Sequence, residues 1–204
     1  MIAIVDYGMG NRRSVEKALE HVGAPSVITA DHDAIRGADG VILPGVGAFP
    51  EAMRNVAALG LDEVLRERAA AGTPLLGICL GQQLLFERTG EHEGADGLGL
   101  LGGEVTALRA PKLPHIGWNL VTFRRESALT AGLGAAAAFY HVHSYACRPS
   151  EPCDVIGTGE YGEPFASIVE RGNVYGVQFH PEKSSRDGLA LLANFAQVCA
   201  RVAA

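Results

Sequence analysis

An α/β fold, with a mainly parallel sheet covered by helices on both faces, is predicted by three observations. Short apolar runs alternate with longer amphipathic stretches through the first half of the chain. The runs lack the strict polar alternation of a half-exposed strand, which suits strands buried on both sides between crossover helices. From Glu104 onward the texture changes to strand-like pieces separated by Gly and Pro turns, with little helix. That half is expected to add antiparallel strands.

Each element follows from its local pattern. Ile2–Val5, Ser26–Thr29, Val41–Leu43 and Leu75–Ile78 read as strands. Ser14–Val22, Pro50–Ala57 and Leu61–Ala71 have helical spacing and good helix formers, with Leu61, Val64, Leu65 and Arg68 along one face of the last. Val105–Leu108, Asn119–Phe123, Phe139–His143, Phe165–Val169 and Val174–Phe179 form the second group of strands. A closing helix is predicted to present Leu189, Leu192, Phe195, Ala196 and Cys199 on one side. No linker or repeat divides the chain, so residues 1–204 are expected to form a single domain.

Composition bounds the function. The 204 residues are 48% hydrophobic and 20% charged, enough to bury a core without disulfides or a structural metal. A net charge of -6 argues against a broad nucleic-acid surface. The four cysteines, Cys79, Cys147, Cys153 and Cys199, form no CxxC pair, which fits a reducing cytoplasm. The start, Met1-Ile2-Ala3-Ile4-Val5-Asp6, has no signal-peptide character. Ala69–Phe86 is uncharged, but Thr73-Pro74 and Gln82-Gln83 interrupt it, so no membrane span is expected. Glycine is in excess, with 26 residues in short clusters, and two of those clusters, with one histidine segment, are candidates to carry the chemistry.

The first is Gly77-Ile78-Cys79-Leu80-Gly81, where a buried strand runs into a cysteine and a helix begins at once. Glycines two residues before and two after a nucleophile make a G-x-Nuc-x-G elbow, because side chains there would crowd the adjoining strand and helix. A helix N-terminus beside the sulfur favours a thiolate. Taken alone, this pattern also fits a small buried cysteine beside incidental glycines. The second segment is Gln178-Phe179-His180-Pro181-Glu182. His180 at a strand end can serve as base, with Glu182 to orient the imidazole and Pro181 to stiffen the link, a surface loop with an ordinary histidine being the alternative. The third is Pro44-Gly45-Val46-Gly47, after a strand. Its backbone N–H groups, with that of Leu80, can form an oxyanion hole, and glycine also permits a peptide flip there. A tight strand-to-helix turn is the alternative for this segment. Nucleophile, base and orienter together describe one mechanism.

Cys79 within GICLGQQ and the HPE of His180–Glu182 resemble the class I (triad) glutamine amidotransferases. Within that family, DYGMGN (6–11), PGVGAF (44–49), KLPHIGWN (112–119), HSY (143–145) and GVQFHPEKS (176–184) resemble the glutaminase subunits of imidazole glycerol phosphate synthases, in order along nearly the whole chain. The resemblance implies a flavodoxin-like, doubly wound sheet and a Cys79–His180–Glu182 triad that hydrolyses glutamine through a glutamyl thioester. It implies an oxyanion hole at Gly45, Val46, Gly47 and Leu80, and glutamine held by Gln83. It further implies delivery of ammonia to a separate (β/α)8-barrel cyclase subunit in histidine biosynthesis, with no cofactor or metal. Asn11, Trp118, Tyr140 and Lys183 would lie at or near that heterodimer interface. Gln82, Ile116 and His141 depart from the family pattern without touching the triad. Two further groups remain. His141 and His143 share a strand face, but no Cys or carboxylate at suitable spacing completes a metal site. Glu91-His92-Glu93 reads as a solvated loop.

Overall fold

In a computed structural model, which describes residues 1–202, the apolar runs assemble into a nine-stranded sheet, and the interleaved helices cover it. Along the chain the elements are β1 (Ile2–Val5), α1 (Arg12–His21), β2 (Ser26–Thr29), α2 (His32–Arg36) and β3 (Gly40–Gly45). Next come α3 (Phe49–Ala58), α4 (Leu61–Ala70), β4 (Leu75–Cys79) and α5 (Leu80–Leu84). The two-residue strands β5 (Arg88–Thr89) and β6 (Ala95–Asp96) precede β7 (Gly103–Ala107), β8 (His115–Phe123) and β9 (Ala136–His143). The chain continues through β10 (Tyr145–Pro149), β11 (Val155–Tyr161), β12 (Glu163–Arg171) and β13 (Val174–Val177) to α6 (Ser185–Val202).

The large sheet runs β2-β1-β3-β4-β13-β12-β11-β8-β9. Its first five strands are parallel, and the remaining four join antiparallel. The chain therefore has the mixed α/β architecture that the two textures of the sequence predict. A second, four-stranded sheet in the order β10-β7-β5-β6 stands apart from it.

Helices on both faces follow from the alternation of side chains along the parallel strands. Ala3, Val5, Val41, Leu43 and Leu75 point to one side, where Phe49 and Val56 of α3 and Leu61 and Leu65 of α4 meet them. Ile2, Ile4, Ile42, Leu76 and Ile78 point to the other, against Val15 and Leu19 of α1 and Leu191, Leu192 and Phe195 of α6. Truncating a core aromatic such as Phe195 to Ala costs about 3–5 kcal/mol, from lost burial plus the cavity left behind. In α6 the buried stripe includes Leu191, with Leu189 and Ala196 only partly buried. That rotates the inner face slightly from the one the periodicity suggests.

The site falls where parallel α/β sheets place theirs, beyond the carboxyl ends of the strands. Gly45, the last residue of β3, is in register with Cys79, the last of β4. Val177 of β13 is in register with Ile78, so the residues after it leave the sheet beside Cys79. No helix among the described residues is long and apolar enough to cross a membrane.

Candidate active site

The turn after β4 is strained in the way an elbow requires. Cys79 has φ 56° and ψ -112°, in the left-handed region that side chains other than glycine rarely adopt. Two glycines make room for it. A Cβ on Gly77 would lie 2.5 Å from the Gly81 carbonyl oxygen, and a Cβ on Gly81 would overlap the Leu43 carbonyl of β3. The first glycine thus lets the helix turn close on its own strand, and the second lets that turn sit on the neighbouring strand. The following helix, α5, has only five residues, so its dipole is that of little more than one turn.

His180 is held from three sides. Its backbone N–H donates to the Tyr140 carbonyl at 3.0 Å, and its carbonyl accepts from Ser184 Oγ at 2.7 Å. Ser184 Oγ also accepts from the Tyr140 N–H at 3.0 Å, which ties the Pro181–Lys183 3₁₀ turn to β9. The imidazole Nδ1 lies 2.9 Å from Glu182 Oε1, with both side chains almost fully buried. Burial disfavours the imidazolium, but hydrogen bonding to Cys79 and to Glu182 outweighs it and raises the His180 pKa to about 10. A proton on His180 is what a thiolate on Cys79 needs beside it. The same Glu182 oxygen accepts from Asn11 Nδ2 at 3.3 Å, and Oε2 is buried without a partner among the described residues.

These groups open into a cleft of about 330 Å³, lined by Val46, Gly47, Cys79, Leu80, Gln83 and His180 among others. Gln83 is fixed through its amide nitrogen, which donates to the Tyr145 carbonyl at 3.2 Å and to Gln178 Oε1 at 3.1 Å. Gln178 Nε2 in turn approaches Cys79 Sγ at 3.9 Å. Beside the Pro44–Gly47 segment, Tyr7 Oη donates to the Pro44 carbonyl at 2.8 Å. Burial, with Cys79 nearby, raises the Tyr7 pKa, so this donor keeps its proton. A Cβ on Gly45 would come within 2.6 Å of that hydroxyl, and Gly47 has φ 108°. Of the predicted oxyanion residues, Val46, Gly47 and Leu80 line the cleft directly, while Gly45 lies behind them in β3.

The family model described as Glutamine amidotransferase class-I matches residues 3–198. The chain is also 54% identical over 198 residues to the imidazole glycerol phosphate synthase subunit HisH of Moorella thermoacetica, covering 97% of this chain and 94% of the relative. It is 50% identical to the HisH of Symbiobacterium thermophilum, over 97% and 93% of the two chains. The chain belongs to the HisH subunits of the class I glutamine amidotransferases. A crystal structure titled glutamine amidotransferase superposes with a TM-score of 0.78 at 19% identity, covering 98% of this chain and all of the other. A putative GMP synthase protein from Thermoplasma acidophilum gives 0.76 at 20%, over 98% and 94%. At such low identity these likenesses speak for the fold, which is the flavodoxin-like fold of class I glutamine amidotransferases.

In this HisH chain the structure brings together Cys79, Leu80, Gln83, Val46, Gly47, His180 and Lys183 around one cleft, with Glu182 and Asn11 directly behind His180. Trp118 and Tyr140 lie outside the cleft, facing each other across β8 and β9 with ring centroids 6.2 Å apart. One residue departs from its sequence reading. Glu91, expected in a solvated loop, is buried, lines the cleft, and accepts the Phe49 N–H at 2.9 Å through Oε2. The cause is long-range: α3 begins at Phe49 without a side-chain cap of its own, and Glu91 supplies the acceptor. No pattern within Glu91-His92-Glu93 could reveal a partner 42 residues away.

Among the described residues, no group of three or more His, Cys, Asp or Glu side chains is arranged to hold a metal ion. His141 and His143 do share the buried face of β9, and His115 of β8 joins them. Their ring nitrogens are engaged in hydrogen bonds instead.

Proposed function

We propose that this chain hydrolyses glutamine through a Cys79–His180–Glu182 triad and passes the ammonia to a (β/α)8-barrel cyclase subunit. The observation that carries the reading is Cys79 at φ 56°, opening into a cleft with a histidine whose other nitrogen is held 2.9 Å from a buried carboxylate. Cys79 Sγ attacks the amide carbon of glutamine, and the oxyanion that forms is stabilised by the Leu80 N–H and the backbone of Val46 and Gly47. His180 gives its proton to the amine as the C–N bond breaks, leaving ammonia and a glutamyl thioester. A water then attacks the thioester, His180 takes its proton, and glutamate departs with the C–S bond broken and the thiol restored. Glu182 orients the imidazole throughout. Gln83 lines the same cleft, and the buried Glu91 carboxylate there is complementary to the substrate's ammonium.

The partner reading rests on an uncovered apolar face. Ile116, Trp118 and Leu120 are 59%, 56% and 62% exposed, and as alternate residues of β8 they point the same way. Tyr140 of β9 stands across from Trp118, and Val142, paired with Ile116, reaches the cleft itself. A partner seated there covers an aromatic anchor and closes the mouth through which ammonia leaves. The cyclase subunits of imidazole glycerol phosphate synthases fit this role. There ammonia and a ribulosyl aminoimidazole-carboxamide nucleotide give imidazole glycerol phosphate and aminoimidazole carboxamide ribotide.

The deciding experiment measures glutamine-dependent and ammonia-dependent product formation with the cyclase partner and nucleotide present. Cys79→Ala should abolish the first and leave the second largely intact. Loss of both with the complex still assembled would overturn a delivery role. Glutaminase activity is expected to be low for the chain alone and to rise in the complex.

A further inference from the structure

The triad does not use His115 or His143, yet both rings are buried, and they lie between the exposed strand β8 and the glutamine cleft. Their partners leave each ring only one tautomer. His143 Nδ1 is 2.8 Å from the Tyr145 carbonyl, which can only accept, so Nδ1 carries the hydrogen. His143 Nε2, 3.0 Å from His115 Nδ1, must then accept, and His115 Nδ1 must donate. That leaves His115 Nε2 as an acceptor for Asn119 Nδ2 at 3.3 Å. The Asn119 amide nitrogen is fixed independently, because it also donates to the Glu160 carbonyl at 2.8 Å. Every bond in the series points one way, from Asn119 to Tyr145. A charge on either ring would place two hydrogens face to face somewhere along it. Burial lowers the pKa of both histidines, in keeping with neutral rings.

The series ends on a working part of the cleft. The Tyr145 carbonyl accepts from His143 Nδ1 and also from Gln83 Nε2 at 3.2 Å, so both its lone pairs are occupied. His143, Ser144 and Tyr145 form one wall of the cleft. We propose that His143 is a positioning residue for glutamine binding, its Nδ1 hydrogen fixing the Tyr145 carbonyl and, through it, the amide of Gln83, and that His115, itself held by Asn119, serves it by holding the His143 ring in that tautomer. This rests on the glutaminase reading, and it assigns that reaction two residues beyond the triad and Gln83. Neither ring touches the sulfur, so the effect falls on substrate affinity rather than on thioester chemistry.

Two substitutions at one position separate this role from simple packing. An Asn amide can stand where Nδ1 stands, whereas a Gln amide reaches the Nε2 position. His143→Asn keeps the bond to the Tyr145 carbonyl, and His143→Gln keeps only the contact with His115. In the complex with the cyclase partner, His143→Gln should raise the KM for glutamine about tenfold, the size of one lost hydrogen bond, with kcat within about twofold. His143→Asn should restore KM to within about threefold of the unaltered protein. Nitrogen NMR of the imidazoles should find His115 and His143 as neutral Nδ1–H tautomers at neutral pH. Equal KM values for the two variants, or an Nε2–H or charged ring at either position, would overturn the proposal. Absence of glutamine turnover in the unaltered complex would instead overturn the glutaminase reading, and the tautomers then judge the hydrogen-bond chain by themselves.

Discussion

Asn11 Nδ2 donates to Glu182 Oε1 at 3.3 Å, the same oxygen that receives the His180 Nδ1 hydrogen at 2.9 Å. The other Glu182 oxygen is buried and has no partner among the described residues, so Asn11 is the second donor to a buried carboxylate. A residue expected only near the heterodimer interface therefore also holds the carboxylate of the proposed triad. Asn11→Ala should reduce glutaminase kcat about tenfold, the scale of a hydrogen bond to a charged group, while glutamine KM changes little. Steady-state kinetics of the complex check this, and a pure loss of affinity for the cyclase partner with kcat intact would refute it.

The elbow makes a stability prediction with a built-in control. A Cβ on Gly81 overlaps the Leu43 carbonyl, and neither backbone can retreat without disturbing β3 or α5. Gly81→Ala should cost about 3 kcal/mol or more in urea unfolding. Gly90 has open space where its Cβ would go and no positive φ, so Gly90→Ala should lie within about 0.5 kcal/mol of the unaltered protein. Similar losses at both positions would mean that the elbow is not tightly packed.

The legible and illegible parts of this chain divide by contact distance. β1 and β2 run over Ile2–Val5 and Ser26–Thr29, as their short β-branched runs predict; β1 is buried on both faces, while β2, at the sheet edge, is half-buried. The spacing of Gly77 and Gly81 about Cys79 is readable as a motif, although only the demand on Gly77 is local to the turn, Gly81 making room for the Leu43 carbonyl of β3. β10 and β11 were not readable. Tyr145–Pro149 carries Arg148 and Pro149, and Val155–Tyr161 carries Gly157 and Gly159, all poor strand signals overridden by pairing with β7 and β12. The role of Glu91 depends on Phe49, and the histidine series depends on the β8–β9 register, so neither could be read from adjacent residues.

Buried neutral histidines set an acid limit on stability. Burial, with His143 close by, lowers the His141 pKa to about 3, and burial lowers that of His143 to about 4, from 6.5. The groups facing them are His115, His180, Ser167 and the carbonyls of Phe139 and Tyr145. Below pH 6.5 the unfolded chain binds protons that the folded one refuses, so stability falls with pH, by about 1.4 kcal/mol per unit for each ring. His180 is protonated in both states through that window. Its contribution has the opposite sign: present below pH 6.5 and lost as pH rises towards 10. His141→Phe should therefore lower the acid slope between pH 6.5 and 4 by one ring's share, about 1.4 kcal/mol per pH unit, measured by urea unfolding at each pH. An unchanged slope would show that His141 is protonated in the folded protein.

Trp118 tests whether the bare face of β8 exists for a partner. It is more than half exposed, with the Tyr140 ring edge-on beside it, so it contributes little to folding of the isolated chain. Trp118→Ala should change the unfolding free energy by no more than about 0.5 kcal/mol. If the face is the docking surface, the same substitution removes a large buried aromatic from an interface, where truncations of this kind cost about 2 kcal/mol or more. Affinity for the cyclase partner should then fall about thirtyfold, with Cys79 alkylation in the free chain unaffected. Leu120→Ala on the same face should weaken assembly in the same direction. Cyclase affinity unchanged by both substitutions, with folding intact, would move the docking surface elsewhere.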